Sequence, residues 1–184
     1  MKNKPNLIGI SGHKQSGKSL IAEIIRYLLA INSHSLRHTE PFDSTVKYTE
    51  SNWEQKAFAG KVKEILCLLT GCTMKDLANE EFKSSYMPEE WDNKIDLKGN
   101  TYGRITYRQS LQLIGTDLFR DKFHSQSWIN ALFADYKNPT TIQEMVDLNC
   151  FTKEDESNWI ITDCRFLNEV ETIKARGGVI IRTN

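Results

Sequence analysis

A glycine-rich loop between an apolar strand and an apolar helix constrains this chain more than any other feature. The apolar segment 7–11 precedes the pattern G-x-x-x-x-G-K-S, which runs from Gly12 to Ser19, and a helix of apolar residues begins near Leu20. A polyphosphate needs several backbone N–H groups that converge on it, and Gly12 and Gly17 allow the chain to curl tightly enough to supply them. The positive end of the following helix dipole points at the same place. Strand, loop and helix in this order therefore predict a phosphate-binding loop.

The two residues that follow Gly17 indicate what this loop binds. Lys18 can reach the β- and γ-phosphates of a nucleoside triphosphate, and the Ser19 hydroxyl is a suitable ligand for Mg²⁺. A chance match to the motif is the alternative, and the strand–loop–helix context argues against it. We therefore expect the chain to bind a nucleoside triphosphate.

Composition excludes several classes of function. Hydrophobic residues make up 39% and charged residues 26% of the 184 positions, which provides enough apolar material for a folded core. The 24 basic residues are balanced by 24 acidic residues, so stable nucleic-acid binding is not expected. Neither a signal peptide nor an apolar run of membrane-spanning length is recognisable, so we expect a soluble protein of a reducing compartment.

The cysteines and histidines do not form the pattern of a metal site. No CxxC pair is present, and no histidine lies near a cysteine at ligand spacing. Cys67 and Cys164 lie within apolar runs, so we predict that both are buried thiols. His34 and His38 lie four residues apart without a third ligand, and we interpret them as solvated surface residues.

Short apolar strands alternate with amphipathic helices along the chain. We predict strands at 7–11, 53–59, 159–162 and 179–182 and helices at 17–30, 61–70, 75–85, 106–119, 127–136 and 166–176. This alternation predicts a single α/β domain over residues 1–184, a three-layer α/β/α P-loop NTPase fold with a parallel central sheet. Polar or turn-rich segments predict insertions near 32–52, 86–104 and 137–157. The carboxyl ends of the strands, with the glycine-rich loop, Phe58 and Asp163, are expected at one catalytic edge.

Several arginines lie in or beside the helix predicted at 106–119. Arg104, Arg108 and Arg120 give this region a density of guanidinium groups that suits phosphate binding, because the planar fork grips oxyanions with two hydrogen bonds. Surface ion pairs with acidic residues such as Asp117 are the alternative interpretation.

Three further residues carry charge where an anion or a cation is expected nearby. Lys61 and Lys63 occupy the first turn of a predicted helix, where cations oppose the helix dipole and favour a nearby anion; solvated lysines are the alternative. Asp163 follows a predicted strand, the position from which P-loop enzymes contact Mg²⁺. A helix N-cap is the alternative role for Asp163, and the two roles are compatible.

One apparent motif is interpreted as accidental. Asn93–Asp96 matches the N-K-x-D pattern of GTPases, and Asp96–Gly99 matches their D-x-x-G pattern. In GTPases the two patterns are well separated and occur in the opposite order, whereas here they overlap after a polar run. The match therefore does not favour a GTPase.

Four blocks of sequence, taken in order, resemble one family of enzymes. The blocks are 9–19, 56–59 with 62–64, 108–116 (RQSLQLIGT) and 161–169 (ITDCRFLNE). They are similar to blocks of the bacteriophage-type deoxynucleoside monophosphate kinases, within the P-loop NMP kinase-like group. The first block is shared by many NTPases, whereas the last two are more particular to this family.

The resemblance implies phosphoryl transfer from ATP to a deoxynucleoside monophosphate, which produces ADP and a deoxynucleoside diphosphate with Mg²⁺ as cofactor. Arg108 and Gln112, four residues apart, look like the nucleotide-gripping pair of adenylate kinases, and Phe58 would stack on the acceptor base. The implied catalytic residues are Lys18, Arg108, Asp163 and Arg165. The implied ATP-binding residues are Gly12, Lys14, Gln15, Ser16, Gly17, Lys18, Ser19 and Leu20. The implied acceptor-binding residues are Phe58, Lys63, Arg104, Arg108, Gln112 and Arg120, and the implied metal ligands are Ser19 and Asp163.

Two other functions stay open at this point. One is a P-loop kinase for another small phosphorylated acceptor such as phosphomevalonate, and the other is a non-catalytic nucleotide-binding protein. The resemblance implies a cytoplasmic protein, in the host cytoplasm if it is phage-encoded, and a homodimer is compatible with the sequence. Family members are expected to continue through a basic segment and a closing helix, and this sequence ends at Asn184 before them. We therefore expect the C-terminal part of the family fold to be absent from this chain.

Overall fold

A computed structural model describes residues 6–13, 15–32, 41–43, 51–92, 94–95, 101–137 and 157–183. Lys14 and most of the insertions predicted near 32–52 and 137–157 lie outside these residues. Contacts within the chain group it into two compact units, one formed by residues 1–58 and 132–184 and the other by residues 59–131. The prediction of a single domain stays a prediction.

Strands and helices alternate through the described residues. The strands are β1 (Leu7–Gly12), β2 (Glu54–Lys56), β3 (Lys94–Ile95), β4 (Thr101–Tyr102), β5 (Trp159–Cys164) and β6 (Val179–Thr183). The α-helices are α1 (Lys18–Asn32), α2 (Phe58–Thr70), α3 (Glu80–Ser84), α4 (Tyr107–Gln112), α5 (Ser127–Phe133) and α6 (Leu167–Ala175). Two 3₁₀ turns, Asp76–Ala78 and Glu89–Trp91, and a π-helical segment, Leu113–Phe123, complete the described elements. None of the described helices has both the length and the apolar character that a membrane crossing needs.

The first unit contains a four-stranded sheet in which all neighbouring strands are parallel. The strand order is β2-β5-β1-β6, so β1 lies between β5 and β6. Ser11 of β1 pairs with Cys164 on one side and with Arg182 on the other. The α/β class and the parallel sheet predicted from the alternating pattern are confirmed.

Helices α1 and α6 cover opposite faces of this sheet. Ile10 and Ile160 form a buried cluster with Ala22 of α1. A Cβ atom at the neighbouring Gly9 would lie 2.7 Å from Cδ1 of Ile173, which belongs to α6. Because successive residues of a strand face opposite sides, the two helices lie on different faces. This arrangement is compatible with three layers, and it explains why β1 and β5 contain consecutive apolar residues rather than strictly alternating ones.

In the second unit, local contacts fix the start of α4. The Thr106 hydroxyl accepts the N–H of Gln109 at 3.2 Å, and the Gln109 side chain accepts the N–H of Thr106 at 2.8 Å, which is a capping box. Tyr107 is buried, and its ring centroid lies 4.4 Å from that of Phe82 in α3. The first turn of α4, which carries Arg108, is therefore held from two sides.

Several predicted boundaries differ from the structure for identifiable reasons. The strand expected over 53–59 has three residues, and Phe58 begins α2 because its N–H donates to Oδ1 of Asp163 at 2.8 Å. The helix expected over 75–85 is divided at Asn79, whose side chain accepts two backbone N–H groups and so caps α3. A long-range hydrogen bond and a local cap account for these two differences.

The helix predicted at 106–119 is longer than expected and changes character along its length. It continues to Phe123, and the part from Leu113 onward is π-helical. The indole N–H of Trp128 donates to the carbonyl of Gly115 at 2.6 Å. A carbonyl directed to a side chain in this way is consistent with a widened helical turn.

The N-K-x-D match lies in a context unlike the one its motif requires. Lys94 and Ile95 form β3, which pairs with β4 as an antiparallel hairpin separate from the parallel sheet. The remaining residues of the match lie outside the described residues.

Candidate functional site

The loop between β1 and α1 contains two left-handed residues within three positions. Gln15 has a φ angle of 66° and Gly17 a φ angle of 73°, values that glycine adopts freely and other residues rarely adopt. The N–H of Ser16 donates to the carbonyl of His13 at 3.3 Å, and the N–H of Ile21 donates to the carbonyl of Gly17 at 2.9 Å. The chain therefore curls back on itself immediately before α1 begins.

Lys18, the first residue of α1, directs its side chain back to this loop. Its Nζ donates to the carbonyl of Gly12 at 3.1 Å and to Oγ of Ser16 at 3.4 Å, and it also donates to the carbonyl of His13. The side chain is half-buried. The loop thus holds a fixed positive charge at the amino-terminal end of a helix, where the dipole also favours an anion.

Thr183, at the end of β6, holds the same loop from the other side. Its Oγ1 lies 2.6 Å from Oγ of Ser16 and 3.3 Å from the carbonyl oxygen of Ser11, and the residue is buried. Gly12 permits this approach, because a Cβ atom there would lie 2.0 Å from Oγ1 of Thr183 and 2.8 Å from its carbonyl oxygen. The sequence analysis missed Thr183, whose only signal was its place directly after a predicted strand.

Asp163 lies at the carboxyl end of β5, the strand next to β1. Because α1 covers one face of the sheet after β1 and α6 covers the other face after β5, the connections leave these adjacent strands on opposite faces of the sheet. Open α/β sheets bind ligands at such a position. The Asp163 carboxylate is half-buried and accepts the Phe58 N–H through Oδ1, so it stabilises the start of α2 from across the sheet edge.

The ring of Phe58 is packed inside the first unit. Phe58 is 3% exposed, and its ring centroid lies 6.3 Å from that of Phe133. In this conformation little of the ring is available to a nucleotide base. Stacking of Phe58 on an acceptor base stays a prediction.

Glu169 shapes the turn that carries Arg165. Its Oε2 accepts the N–H of Arg165 at 2.7 Å and the N–H of Phe166 at 2.9 Å, although the residue is only 2% exposed. A glutamate at this position of a helix satisfies N–H groups that have no helical partner. The Arg165 side chain itself is exposed. The sequence analysis assigned Glu169 no role, although its place in the first turn of a predicted helix is a readable capping signal.

In the second unit, Arg108 forms an ion pair with Glu80 of α3. The Arg108 guanidinium lies 2.6 Å from Oε2 of Glu80, and the Arg108 side chain is about half exposed. Lys83 contacts the other oxygen of the same carboxylate. Hydrogen bonds from Lys83 and then Arg108 lower the pKa of Glu80 from its ordinary 4.5 to about 2. A surface ion pair, the alternative considered for this arginine, describes the present conformation, with Glu80 as the partner rather than Asp117.

A pocket of about 170 Å³ in the second unit brings together two of the predicted acceptor residues, Arg104 and Gln112. It is lined by Arg104, Ile105, Gln109, Gln112, Leu113 and Asp117. The guanidinium of Arg104 also lies over the ring of Tyr86, 4.7 Å from its centroid. A few polar groups beside apolar walls are typical of a site for a small polar ligand. Arg108 is not among the residues that line this pocket.

The remaining predicted residues are dispersed. Ser19 and Leu20 are exposed in the first turn of α1, Lys63 is half-buried in α2, and Arg120 is half-buried in the π-helical segment. Lys14 lies outside the described residues. No group of three or more histidine, cysteine, aspartate or glutamate side chains that could hold a metal ion occurs in the part of the chain that the structure describes.

No protein-family model matches the chain, and no curated protein matches it significantly.

The close approach of Gly12 to Thr183 generates a first prediction. Gly12→Ala should lower the free energy of unfolding by about 1–3 kcal/mol, because the new methyl group overlaps atoms of β6. Thr183→Ala in the same chain should restore part of this loss, since it removes the hydroxyl at 2.0 Å. Denaturant unfolding of the two single variants and the double variant measures the coupling.

Gly60→Ala is the control, because a Cβ atom at Gly60 in α2 would meet nothing within 4 Å. It should leave stability unchanged or raise it by up to about 1 kcal/mol. Equal stability of Gly12→Ala and the wild type would contradict the packing described for the loop.

The low pKa of Glu80 generates a second prediction. Lys83→Ala should raise this pKa more than Arg108→Ala does, because the Lys83 hydrogen bond makes the larger contribution. When the pKa of a carboxyl is lower in the folded than in the unfolded chain, its ionisation stabilises the fold at any pH above the pKa of the unfolded chain. The contribution of Glu80 is therefore fully present above about pH 4.5 and is lost as the pH falls toward 2. NMR titration of the Glu80 carboxyl carbon measures both effects.

Lys122→Ala, at an exposed position of the π-helical segment, is the control and should leave the Glu80 titration unchanged. The described ion pairs would be refuted by a Glu80 pKa that stays at its wild-type value in both test variants.

Proposed function

We propose that this chain transfers a phosphoryl group from ATP to a deoxynucleoside monophosphate. The observation that carries the proposal is the placement of Lys18 within a tightly curled glycine loop after β1, with Asp163 at the end of the adjacent strand β5. Phosphoryl transfer needs positioning and neutralisation of charge more than covalent catalysis. A fixed ammonium and a carboxylate at one edge of a parallel sheet meet that need.

The donor half of the proposed site is the β1–α1 loop, read as the P-loop of a three-layer nucleotide-binding fold. The left-handed residues Gln15 and Gly17 curl the backbone, and the amino-terminal end of α1 faces the loop. Both features favour a bound polyphosphate. In the proposed complex Lys18 exchanges its contacts with loop carbonyls for contacts with the β- and γ-phosphates, and neutralises charge that develops during transfer.

The residues at this edge also suit Mg²⁺. Ser19 and Asp163 would supply a hydroxyl and a carboxylate oxygen, which are the hard oxygen ligands that this ion prefers. A magnesium ion that arrives with a nucleotide needs only one or two carboxylates from the protein. When bound, it would neutralise the phosphate oxygens of the donor.

The acceptor half is proposed on the second unit. Arg104 and Gln112 line one pocket there, with Asp117 and Gln109 beside them. Guanidinium, amide and carboxylate groups together can bind the polar edge of a base and an anionic group. Arg108, on the same helix as Gln112, would bind the acceptor phosphate in exchange for Glu80.

We also propose a cytoplasmic location, consistent with the resemblance.

Removal of the Lys18 ammonium tests the proposal directly. Lys18→Ala should lower the rate of ADP release by roughly 10²-fold or more, because a fixed charge at the transferred phosphoryl group is lost. The assay uses ATP, Mg²⁺ and a panel of deoxynucleoside monophosphates, and the wild type should release ADP only when an acceptor is present. Lys174→Ala, at an exposed position of α6, is the matched control and should keep wild-type activity.

Other outcomes of the same assay oppose the proposal. Acceptor-independent ADP release would indicate an ATPase, and turnover only with a different phosphorylated acceptor would indicate another P-loop kinase. ATP binding by calorimetry without turnover for any acceptor would indicate a non-catalytic nucleotide-binding protein.

The proposed acceptor pocket generates its own prediction. Gln112→Ala should raise the KM for the monophosphate roughly 2- to 10-fold and leave the KM for ATP unchanged, because it removes one or two hydrogen bonds to the acceptor. Gln126→Ala, at an exposed position of the same unit, is the control. Equal effects of Gln112→Ala on both substrates would remove this residue from the acceptor site.

A further inference from the structure

Cys67 and Cys72 face each other at the end of α2. Their Sγ atoms lie 3.8 Å apart, and both residues are half-buried, so the prediction that Cys67 is a buried thiol is wrong. Gly71 makes this contact possible, because its φ angle of 72° turns the chain back after the helix and its N–H donates to the Cys67 carbonyl at 2.8 Å. A left-handed glycine after a helix is a common way to end it. The way in which α2 ends therefore brings the two cysteines together.

Neighbouring contacts hold the second cysteine in place. The Cys72 N–H donates to Oγ1 of Thr70 at 3.4 Å, and the following turn is closed by Thr73, whose N–H donates to the Asp76 carboxylate at 2.9 Å. The chain on both sides of Cys72 is thus hydrogen-bonded. The two sulfur atoms are therefore held close to each other, and each side chain is partly accessible to a small reagent.

We propose that Cys67 and Cys72 are a redox-active dithiol that is oxidised to an internal disulfide by low-molecular-weight disulfides. One cysteine thiolate attacks the small disulfide, forms a mixed disulfide and releases the first small thiolate. The thiolate of the second cysteine then attacks the protein sulfur of that bond and releases the second small thiolate. The protein loses two electrons and two thiol protons, and the small disulfide is reduced to two thiols.

The surroundings of the pair govern the rate of this reaction. Burial, then the hydrogen bond with Cys72 and the charges of Cys72 and Asp76, raise the pKa of the Cys67 thiol to about 11, and Lys63 opposes the rise. The thiolate is the reactive form, so a high pKa makes attack by Cys67 slow at neutral pH. The exchange should therefore accelerate as the pH is raised from neutral toward that value.

The pair adjoins the region that carries Arg108. Burial, and then the charges of Cys72 and Asp76, raise the pKa of Tyr107, the residue before Arg108 in the first turn of α4. Closure of the disulfide brings the sulfur atoms together by well over an ångström from their present 3.8 Å. The pair therefore lies close enough to the first turn of α4 for the charge of Cys72 to act on Tyr107.

The sequence offers a direct readout of the closed bond. Trypsin cleaves after Lys63 and Lys75, and no lysine or arginine lies between them, so both cysteines fall in the single peptide 64–75. Cys150 and Cys164 fall in two other peptides. The intact folded chain is equilibrated with reduced and oxidised glutathione, quenched in acid and digested. Peptide 64–75 should be found lighter by two hydrogen atoms.

A comparison with the unfolded chain separates the effect of the fold on disulfide formation from the effect of the short sequence separation between the two cysteines. The equilibrium constant for ring closure should be about 10-fold or more higher in the native protein than in concentrated urea, because the fold holds the sulfur atoms near each other. Cys72→Ser should instead accumulate a glutathione adduct on Cys67 that cannot resolve, and Cys67→Ser should do the same on Cys72. Circular dichroism of each variant checks that it is folded.

Three results would overturn the proposal. They are a ring-closure constant no higher in the native protein than in urea, a stable glutathione adduct on the wild-type pair, and disulfides only between chains. Cys164, which is fully buried and whose pKa burial raises to about 12, is the internal control and should stay unmodified in the native protein.

Discussion

The pairing of β1 with β5 on one side and β6 on the other positions every candidate residue of the first unit. Because all three strands are parallel, their carboxyl ends meet at the same edge of the sheet. The loop that follows β1, the Asp163 carboxylate of β5 and the Thr183 hydroxyl of β6 are neighbours for this reason. The loop is about 150 residues or more from Asp163 and Thr183 in sequence. The pairing of the strands is therefore what brings these groups together.

The loop after β1 is organised around the Lys18 ammonium. Carbonyl groups of the loop accept hydrogen bonds from the ammonium, and the Thr183 hydroxyl on the next strand is hydrogen-bonded to the Ser16 hydroxyl. Asp163 has a comparable double role, because the carboxylate proposed as a metal ligand also fixes the first turn of α2.

The sequence revealed those parts of the candidate site that depend on local chemistry. The glycine loop could be predicted because the glycines that curl it lie within a few residues of each other. Lys18 and the strand before Asp163 could be predicted because a helix start and an apolar run are also short, local signals. The contacts that complete the site join distant positions. Ser16 and Thr183 are 167 residues apart and Phe58 and Asp163 are 105 apart, so no local pattern could predict that Thr183 holds the loop or that Phe58 begins a helix. The Glu80 partner of Arg108 was missed for the same reason.

The ion pair between Arg108 and Glu80 has a consequence for how an anion could enter. An anion that binds the Arg108 nitrogen now bonded to Glu80 displaces a carboxylate that is already there, so binding at that nitrogen is an exchange of one negative partner for another. Glu80 would keep Lys83, and even its ordinary pKa of 4.5 lies far below neutrality. The displaced carboxylate therefore stays ionised, and Glu80 neither takes up nor releases a proton in the exchange near neutral pH.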